Sequence, residues 1–352
     1  PLPYLRKCQP TQTRRISVSD NFRVAIDALG GDDAPTAPVE GAVLAARNDG
    51  AEVLLVGNSN IVEAELNKHD IKGLPISVIS SEGKIEDNEA PALALRQKPK
   101  ASILVATTLV KKGLADALVS MGSTGGTMAA AVVVLGTIKG IERPAIGGPI
   151  IGSAPHQTIL DLGSNIDCKP SQILGFSVLG SVFSKSLLKI EDPRVAILSI
   201  GSEEGKGNAL TKESSVLLQQ SGLNFVGNVE GHDLVTGKAD VVVCDGFIGN
   251  VILKLVEGLG KGLEAQLQST LSGKVPQKVL EALIQELYRN NNVVDSRGGG
   301  PVFGVNGVSV IGHGSATAGT IEKAVGMARM CVETKLIEEM NRQVPQVMAK
   351  AG

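Results

Sequence analysis

The chain has 352 residues, a length that accommodates one large domain or two ordinary ones. Hydrophobic residues make up 43 % of it, which is enough to bury a core, and 34 basic residues nearly balance 36 acidic ones. The net charge is −2, and there are no Trp, two Tyr and six Phe. This composition excludes the basic, aromatic surface that nucleic-acid binding requires.

Residues 1–22 are basic and polar, without the apolar stretch of a secretory signal. We predict a flexible tail, with the remnant of a transit peptide as the alternative. Neither the four histidines nor the four cysteines show the spacing of a metal site, and the cysteines lie far apart at Cys8, Cys168, Cys244 and Cys331. No metal or organic cofactor is indicated, and a reducing, cytoplasmic location is expected.

Short apolar runs predict the strands. In chain order they are Val24–Ala28, Val53–Val56, Ile76–Ile79, Ala117–Ser120, Thr158–Leu160, Val195–Ile200, Val241–Val243 and Val308–Ile311. Helical patterns such as Pro35–Arg47 and Ser171–Leu188 separate most of them, as parallel crossovers require. Because the strands are almost continuously apolar, both faces of the sheet should be buried. We therefore predict an α/β fold of three layers, α/β/α, around a mostly parallel sheet.

Two helical segments break this alternation. Asn250–Thr270 and Pro276–Asn291 follow each other directly and predict a helical hairpin over about residues 250–292, inserted in the sheet domain. The second segment carries an apolar stripe that includes Leu280 and Leu283. This stripe either packs on the body of the protein or stays exposed for dimerisation or membrane contact.

Polar or glycine-rich turns follow six of the predicted strands. They span residues 27–33, 120–127, 161–165, 201–208, 245–250 and 312–315. Open parallel sheets bind ligands at the carboxyl ends of their strands, and helix starts there favour anions. The sequence therefore predicts a site for a phosphate-bearing or acidic ligand at one edge of the sheet.

The common nucleotide motifs do not fit these turns. Residues 201–208 lack the spacing of a Walker A loop, and residues 312–317 lack the third glycine of the dinucleotide fingerprint. The chain contains no G-x-S-x-G elbow either. Dinucleotide use and serine hydrolysis are therefore disfavoured.

Polar residues in two of these turns have a structural explanation beside a functional one. Asp245 either caps its turn or takes part in chemistry. Asp167 is the expected cap of the helix that starts at Pro170, whereas Lys169 would carry a positive charge at a positive helix end. Lys169 therefore predicts an anionic partner.

The hairpin and the last turn offer further candidates. Asn250, Lys254 and Glu257 share one helix face, although Lys254 and Glu257 alone would also form an ordinary i, i+3 ion pair. His313 lies between glycines rather than on an apolar stripe, which favours a role in a site.

Several long blocks occur in an order that resembles one family. They are AIDALGGD (25–32), GIERPA (140–145), DLGSNIDCKP (161–170), NFVGNVEG (224–231), CDGFIGNV (244–251), GVNG (304–307) and HGS (313–315). The chain resembles the phosphate acyltransferases of bacterial phospholipid synthesis, the PlsX family. The resemblance covers most of the chain, from about Val24 to the C-terminal helix.

The resemblance implies transfer of a long-chain fatty acyl group from acyl carrier protein to inorganic phosphate, giving acyl phosphate for phospholipid synthesis. It also implies a fold like phosphotransacetylase and isopropylmalate dehydrogenase, in a homodimer that is cytoplasmic or peripheral on the inner face of the membrane. The acyltransferase domain would span residues 23–345, followed by a short tail at 346–352. The alternatives are a short-chain enzyme using acyl-CoA, a non-catalytic membrane adaptor and, third, a dehydrogenase.

Such a reaction needs mainly positioning and charge stabilisation, because phosphate is already a nucleophile and a thiolate leaves readily. We expect backbone and hydroxyl groups to hold phosphate at Gly122, Ser123, Thr124, Gly125 and Ser315. Positive charge would come from Lys169 and Lys254, and Asn165 or Asn250 would donate to the thioester oxygen. His313 or Asp245 would take the phosphate proton or orient the attacking oxygen.

The chain departs from the family pattern at three places. Asp33 stands where the family usually has His, and Ser123 stands where it has Asn. Ala316-Thr317 displaces an amide often found after His-Gly-Ser. These departures bear on rate and on the choice of acyl donor.

Overall fold

Buried apolar runs form the strands at nearly the predicted places. The computed structural model describes residues 22–351, apart from the side chain of Asp295. The strands are β1 (Arg23–Asp27), β2 (Glu52–Gly57), β3 (Ile76–Ser80), β4 (Ala117–Ser120), β5 (Ala145–Gly148), β6 (Thr158–Leu160), β7 (Val195–Leu198), β8 (Phe225–Val229), β9 (Val241–Val243), β10 (Gly300–Phe303) and β11 (Val308–Ile311). The sequence did not predict β5, β8 or β10, because glycine, proline or asparagine interrupts their short apolar runs.

The helices fill the connections between these strands. They are α1 (Thr36–Asn48), α2 (Ser59–Leu66), α3 (Pro91–Gln97), α4 (Ser102–Lys111), α5 (Thr124–Ala130), α6 (Pro170–Ser186), α7 (Ala209–Gln220), α8 (Gly246–Leu271), α9 (Gln277–Asn291), α10 (Val293–Arg297), α11 (Ala318–Glu333) and α12 (Leu336–Ala351). A π-helical stretch, Ala131–Leu135, continues α5, and a 3₁₀ turn spans Gly231–Val235.

All strands join one sheet in the order β3-β2-β1-β4-β11-β10-β5-β6-β9-β7-β8. The first five are mutually parallel, as are the last four. Between them, β10 and β5 are each antiparallel to both neighbours, so the two parallel halves run in opposite directions. The predicted α/β class is confirmed.

This reversal corrects the expectation that all six turns lie at one edge. The turns after β1, β4 and β11 leave one half-sheet, whereas the turns after β6, β7 and β9 leave the other in the opposite direction. Two antiparallel strands without predictable periodicity are enough to reverse half of the sheet. Residues from both sets of turns line one cavity beside the short central strands β10 and β5.

Helices cover both faces of the sheet and produce separate cores. One core is continuous across both halves, where α1, α6, α11 and α12 pack on alternate strand residues such as Val24 and Ile26. On the opposite face, α4 packs on the first half around Leu118, and α8 packs on the second half around Val242. Each face is therefore buried, as the apolar strands predict.

The described part of each predicted tail belongs to the folded domain. Phe22, the last residue of the predicted N-terminal tail, is buried, and its carbonyl oxygen accepts from the Glu52 N–H (3.0 Å). The first 21 residues of that tail, including Cys8, lie outside the described residues. At the other end, residues 346–351 are the last turns of α12 rather than a tail, and Ala351 is buried.

Helices α8 and α9 form the predicted hairpin, and although one face of α8 packs on the sheet, many of their apolar residues stay exposed. Leu280 is the one buried residue of α9, and those of α8 are glycines. An exposed stripe runs along α8 through Phe247, Val251, Leu255, Leu259 and Leu263. Leu255, for example, is 57 % exposed. Within residues 22–351, no helix combines the length and the hydropathy that a membrane span needs.

Candidate active site

Three adjoining cavities open beside the central strands. The polar cavity (about 270 Å³) lies among the turns after β1, β4 and β11. The apolar cavity (about 360 Å³) lies along β5, β10 and α8, and the hairpin cavity (about 140 Å³) lies between α8 and α9. His313 lines all three, and Thr124 lines the polar and apolar cavities. These two residues therefore mark the junction of the cleft.

Close backbone packing shapes the polar cavity. A Cβ on Gly30 would lie 2.7 Å from the Gly122 nitrogen, and the Asp32 N–H donates to the Gly314 carbonyl (2.8 Å). These contacts hold the turns after β1, β4 and β11 together. The cavity is rich in acidic side chains and has one lysine: its charged residues are Asp27, Asp32, Glu86, Asp87 and Lys84.

Asp27 lies at the buried end of β1, in the wall of the polar cavity. Its carboxylate accepts hydrogen bonds from the Ser120 hydroxyl (2.9 Å) and from the Leu29 N–H (3.2 Å). Burial raises the pKa of Asp27, and these bonds together with the Ser102 hydroxyl only partly offset it. An aspartate at the end of an apolar strand either caps its turn or belongs to a site, and the sequence leaves both explanations open for Asp27.

The residues predicted to hold phosphate separate into three groups. Gly122, Ser123 and Thr124 line the polar cavity, and the Ser123 hydroxyl caps α5 by accepting from the Gly126 N–H (3.3 Å). Gly125 instead packs on Pro91, 2.9 Å from where its Cβ would be. Ser315 lines the hairpin cavity. The five residues therefore do not form a single cradle.

The hydrogen bonds of His313 define its tautomer. Its Nδ1 accepts from the Ser315 N–H (3.3 Å) and lies 2.9 Å from the Ser315 hydroxyl. Because Nδ1 is an acceptor, a neutral imidazole carries its proton on Nε2. His313 is thus oriented by Ser315 as a hydrogen-bond donor at the junction of the cavities.

The apolar cavity receives residues from both halves of the sheet. Gly163 comes from the turn after β6, and Asn250 and Lys254 come from α8. Lys254 Nζ lies 2.8 Å from Glu257, so the predicted i, i+3 ion pair is present and both of its members face the cavity. The apolar side chains of the wall include Ile146, Pro149, Ile150, Leu162, Leu253, Val294, Pro301 and Ile311.

Asn165 has a structural position that sequence reasoning did not predict. It is only 5 % exposed, and its amide nitrogen donates to the Pro144 carbonyl (2.9 Å) and to Asp161 Oδ2 (2.8 Å). Both amide protons are therefore used, which leaves none for a thioester oxygen. Of the two predicted amide donors, Asn250 is the one that lines a cavity.

Asp161 organises the turn in which Asn165 lies. Its carboxylate accepts from the backbone N–H groups of Ser164 (3.0 Å) and Asn165 (2.7 Å), and burial raises its pKa against the effect of these donors. The start of α8 packs directly on this turn, since a Cβ on Gly249 would overlap the Asp161 carbonyl oxygen. The turn thereby positions Asn250 in the cleft.

Two other candidates lie outside the three cavities. Asp245 caps α8 by accepting from the Ile248 N–H (2.9 Å), so the structural explanation holds for it. Lys169, rather than Asp167, is the N-cap residue of α6. Its exposed amine lies 3.5 Å from Glu142, which supplies the anionic partner from within the chain.

Cysteine chemistry is suppressed by burial. Desolvation, together with the neighbouring Asp161, raises the pKa of the Cys168 thiol to about 12, and desolvation alone does the same for Cys331. Burial raises the pKa of Cys244 as well. Because the thiolate is the nucleophilic form, none of these three is prepared for covalent catalysis. Across residues 22–351, no cluster of three or more His, Cys, Asp or Glu is arranged to hold a metal ion.

Known structures share this fold. A phosphotransacetylase from Streptococcus pyogenes superimposes with a TM-score of 0.57 at 19 % identity, covering 90 % of this chain and 94 % of its own. A 4-hydroxythreonine-4-phosphate dehydrogenase from Klebsiella pneumoniae superimposes with a TM-score of 0.53 at 13 % identity, covering 89 % and 100 %. At these identities the likeness establishes the fold.

Sequence comparison establishes the family. The model of a family described as "Fatty acid synthesis protein" matches residues 22–339. The phosphate acyltransferase of Pelotomaculum thermopropionicum is 43 % identical over 335 residues, which are 94 % of this chain and 97 % of that protein. The phosphate acyltransferase of Geobacter sulfurreducens is 40 % identical over 334 residues, 93 % and 96 % of the two chains. The chain therefore belongs to the phosphate acyltransferase (PlsX) family of acyltransferases.

Proposed function

We propose that this protein transfers a long-chain fatty acyl group from acyl carrier protein to inorganic phosphate, and so supplies acyl phosphate for phospholipid synthesis. The observation that carries the proposal is the contact between a polar and an apolar cavity at Thr124 and His313. A phosphate and an acyl thioester can meet at this junction, and the apolar walls suit the acyl chain. The apolar cavity, about 360 Å³, is of the size of ordinary ligand pockets.

The reaction needs no covalent enzyme intermediate. A phosphate oxygen forms a bond to the thioester carbon, the carbon–sulfur bond breaks, and the phosphate proton passes to the leaving sulfur. Negative charge develops on the thioester oxygen meanwhile, and fixed donors aimed at it lower the barrier.

We assign the donors from their positions at the junction. His313 Nε2–H, oriented through Ser315, would donate to the thioester oxygen together with the amide of Asn250. Lys254 would add positive charge, although Glu257 partly neutralises it. Thr124 would contact the phosphate where the cavities meet.

The departures from the family pattern differ in importance. Ser123 lies in the wall of the polar cavity, so replacing an asparagine there alters a surface that substrate can reach. Asp33 lies outside the three cavities, and its carbonyl starts α1 by accepting from the Ala37 N–H (3.0 Å). Thr317 caps α11 by accepting from the Thr320 N–H (3.3 Å). We therefore expect Ser123 to affect catalysis most among the three.

We further propose that the protein is a cytoplasmic homodimer that contacts the inner face of the membrane through the α8–α9 hairpin. The exposed apolar stripe of α8 supports an unpartnered surface of this kind. Replacing Leu255 and Leu259 together by Gln would be compared with Val216→Gln, an exposed apolar residue on α7. Light scattering would report loss of the dimer, and vesicle flotation would report loss of membrane contact. Unchanged results in both would refute the role of the stripe.

The reaction is tested by trapping acyl phosphate as its hydroxamate. Purified protein would receive phosphate with either palmitoyl-acyl carrier protein or acetyl-CoA. Product from the carrier substrate supports the proposal, whereas product from acetyl-CoA alone assigns a short-chain enzyme. No product from either, with a folded protein, assigns a non-catalytic adaptor. His313→Ala should abolish product formation, while the exposed His232, changed to Ala, serves as the matched control.

A further inference from the structure

Arg297 is a cation in the apolar cavity that the proposed reaction has not used. It ends the short helix α10, directly before the glycines that lead into β10, and it lines the cavity with Val294 and Gly299. One guanidinium nitrogen donates to the Pro155 carbonyl (2.8 Å). Arg297 is half-buried, and no other described side chain forms a hydrogen bond or an ion pair with its guanidinium.

Three other arginines among residues 22–351 are paired with acids. Arg23, Arg194 and Arg342 each lie within 3 Å of a carboxylate, respectively Asp116 (2.6 Å), Asp240 (2.9 Å) and Glu339 (2.6 Å). No carboxylate of the described side chains lies within 4.0 Å of Arg297, and burial lowers its pKa with no opposing acid. Burying a charge without a counter-ion is costly, so the chain keeps this one at an energetic disadvantage.

The charge of the cavities shows where an anion would bind. The polar cavity has four acidic side chains and one lysine, whereas the apolar cavity has Lys254 and Arg297 with a single acid, Glu257. Glu257 is already paired with Lys254 at 2.8 Å. The positive excess of the cleft therefore lies on the apolar side, at Arg297. Apolar walls strengthen its attraction for an anion, because they lower the local dielectric constant.

We infer that Arg297 binds a phosphate group in the apolar cavity. A guanidinium presents parallel N–H groups that match two phosphate oxygens, which lysine does not offer. The substrates are those of the proposed function, on which this inference rests. They carry such a group in two places: inorganic phosphate itself, and the phosphodiester that joins the pantetheine arm to the carrier protein.

Binding measured without turnover tests the inference. Calorimetric titrations would use inorganic phosphate, 4′-phosphopantetheine and, as a ligand lacking phosphate, pantetheine. Arg297→Gln should lower the affinity for one of the two phosphate ligands roughly 10- to 100-fold, as expected for loss of a charge-assisted hydrogen bond. Pantetheine binding should not change. Arg47→Gln is the matched control, because Arg47 also donates to one carbonyl, that of Asp70 (2.8 Å), but is exposed outside the cleft.

The two sources of phosphate give different results. If only the binding of inorganic phosphate is weakened, the attacking substrate lies at Arg297. If only the binding of 4′-phosphopantetheine is weakened, the arm of the acyl donor lies there. Arg297→Lys keeps the charge without the paired N–H groups, so its affinity should lie between those of wild type and Arg297→Gln. It also replaces the Gln variant if that variant does not fold. Unchanged affinity for both phosphate ligands in these variants would overturn the inference.

The same titrations separate this inference from the proposed function. If the protein forms no acyl phosphate but substitution of Arg297 weakens phosphate binding, the proposed function is refuted and the phosphate site is supported. If the protein forms acyl phosphate and Arg297→Gln does so with the same kinetics, the proposed function is supported and the phosphate site at Arg297 is refuted.

Discussion

Replacing Asn165 by alanine separates a structural amide from a catalytic one. The Asn165 side chain is buried and donates to the Pro144 carbonyl and to the Asp161 carboxylate, whereas Asn250 is exposed in the wall of the apolar cavity. We expect Asn165→Ala to reduce the free energy of unfolding and leave the turnover of the folded enzyme nearly intact. We expect Asn250→Ala to leave the free energy of unfolding nearly unchanged and to lower turnover.

The size of the effect follows from the two hydrogen bonds that are lost. Alanine leaves the Pro144 carbonyl unpaired in the interior, at a cost of about 1–3 kcal/mol. It also removes one donor from the Asp161 carboxylate, and a bond to a charged group contributes about 1.5–3 kcal/mol. Allowing for local relaxation, we expect a loss of about 2–5 kcal/mol, a large part of the ~5–15 kcal/mol that stabilises an ordinary domain.

Urea unfolding, followed by far-ultraviolet circular dichroism, measures this loss, and the hydroxamate assay measures turnover. Asn250→Ala should change stability by no more than about 0.5 kcal/mol, as surface substitutions do. If Asn250 donates to the developing oxyanion, its loss should lower kcat by about 10²–10³. Asn165→Ala with unchanged stability and a kcat reduced to that extent would refute the structural role and restore Asn165 as a catalytic donor.

Three further predictions concern the same region. Because burial raises the pKa of Asp27, its ionised form destabilises the folded state. In urea unfolding, Asp27→Asn should therefore match the stability of wild type below about pH 4 and exceed it at pH 8. Equal stability of the two proteins at pH 8 would contradict this. With a pKa of about 12, Cys168 should resist iodoacetamide at pH 8, measured by mass spectrometry, and rapid alkylation would refute the suppressed thiolate. Gly249→Ala should cost about 1–3 kcal/mol or more in urea unfolding, because its Cβ would overlap the Asp161 carbonyl. On the same helix Gly258→Ala, whose Cβ meets nothing within 4 Å, should instead gain up to about 1 kcal/mol; equal effects would refute the packing argument.

Local patterns were sufficient to predict most of the elements. Four of the eight predicted strands, among them Ala117–Ser120 and Val308–Ile311, have the observed bounds, because a buried strand in a parallel sheet is apolar throughout and ends in a polar turn. The hairpin of α8 and α9 was also predictable, since its segments carry helical periodicity without a strand between them. The turns that place His313 and Thr124 in the cleft were predictable as well, because glycine-rich polar turns follow apolar strands.

The direction of the two half-sheets and the burial of individual side chains could not be predicted from local patterns. The short antiparallel strands β5 and β10 have too few apolar residues to be recognised, yet they reverse the second half of the sheet. Whether an amide is buried or exposed depends on contacts distant in sequence, which is why Asn165 and Asn250 could not be told apart.

The class of fold, the family blocks and the turns that build the cleft can be read from local sequence, because each of these is encoded in neighbouring residues. Which charged groups lie in the cleft depends on how distant segments pack together. Arg297 stands in no recognisable motif, and the lack of a counter-ion among the described side chains depends on what packs around it. Burial, and with it the energetic consequence of a charge, is a property of the assembled chain.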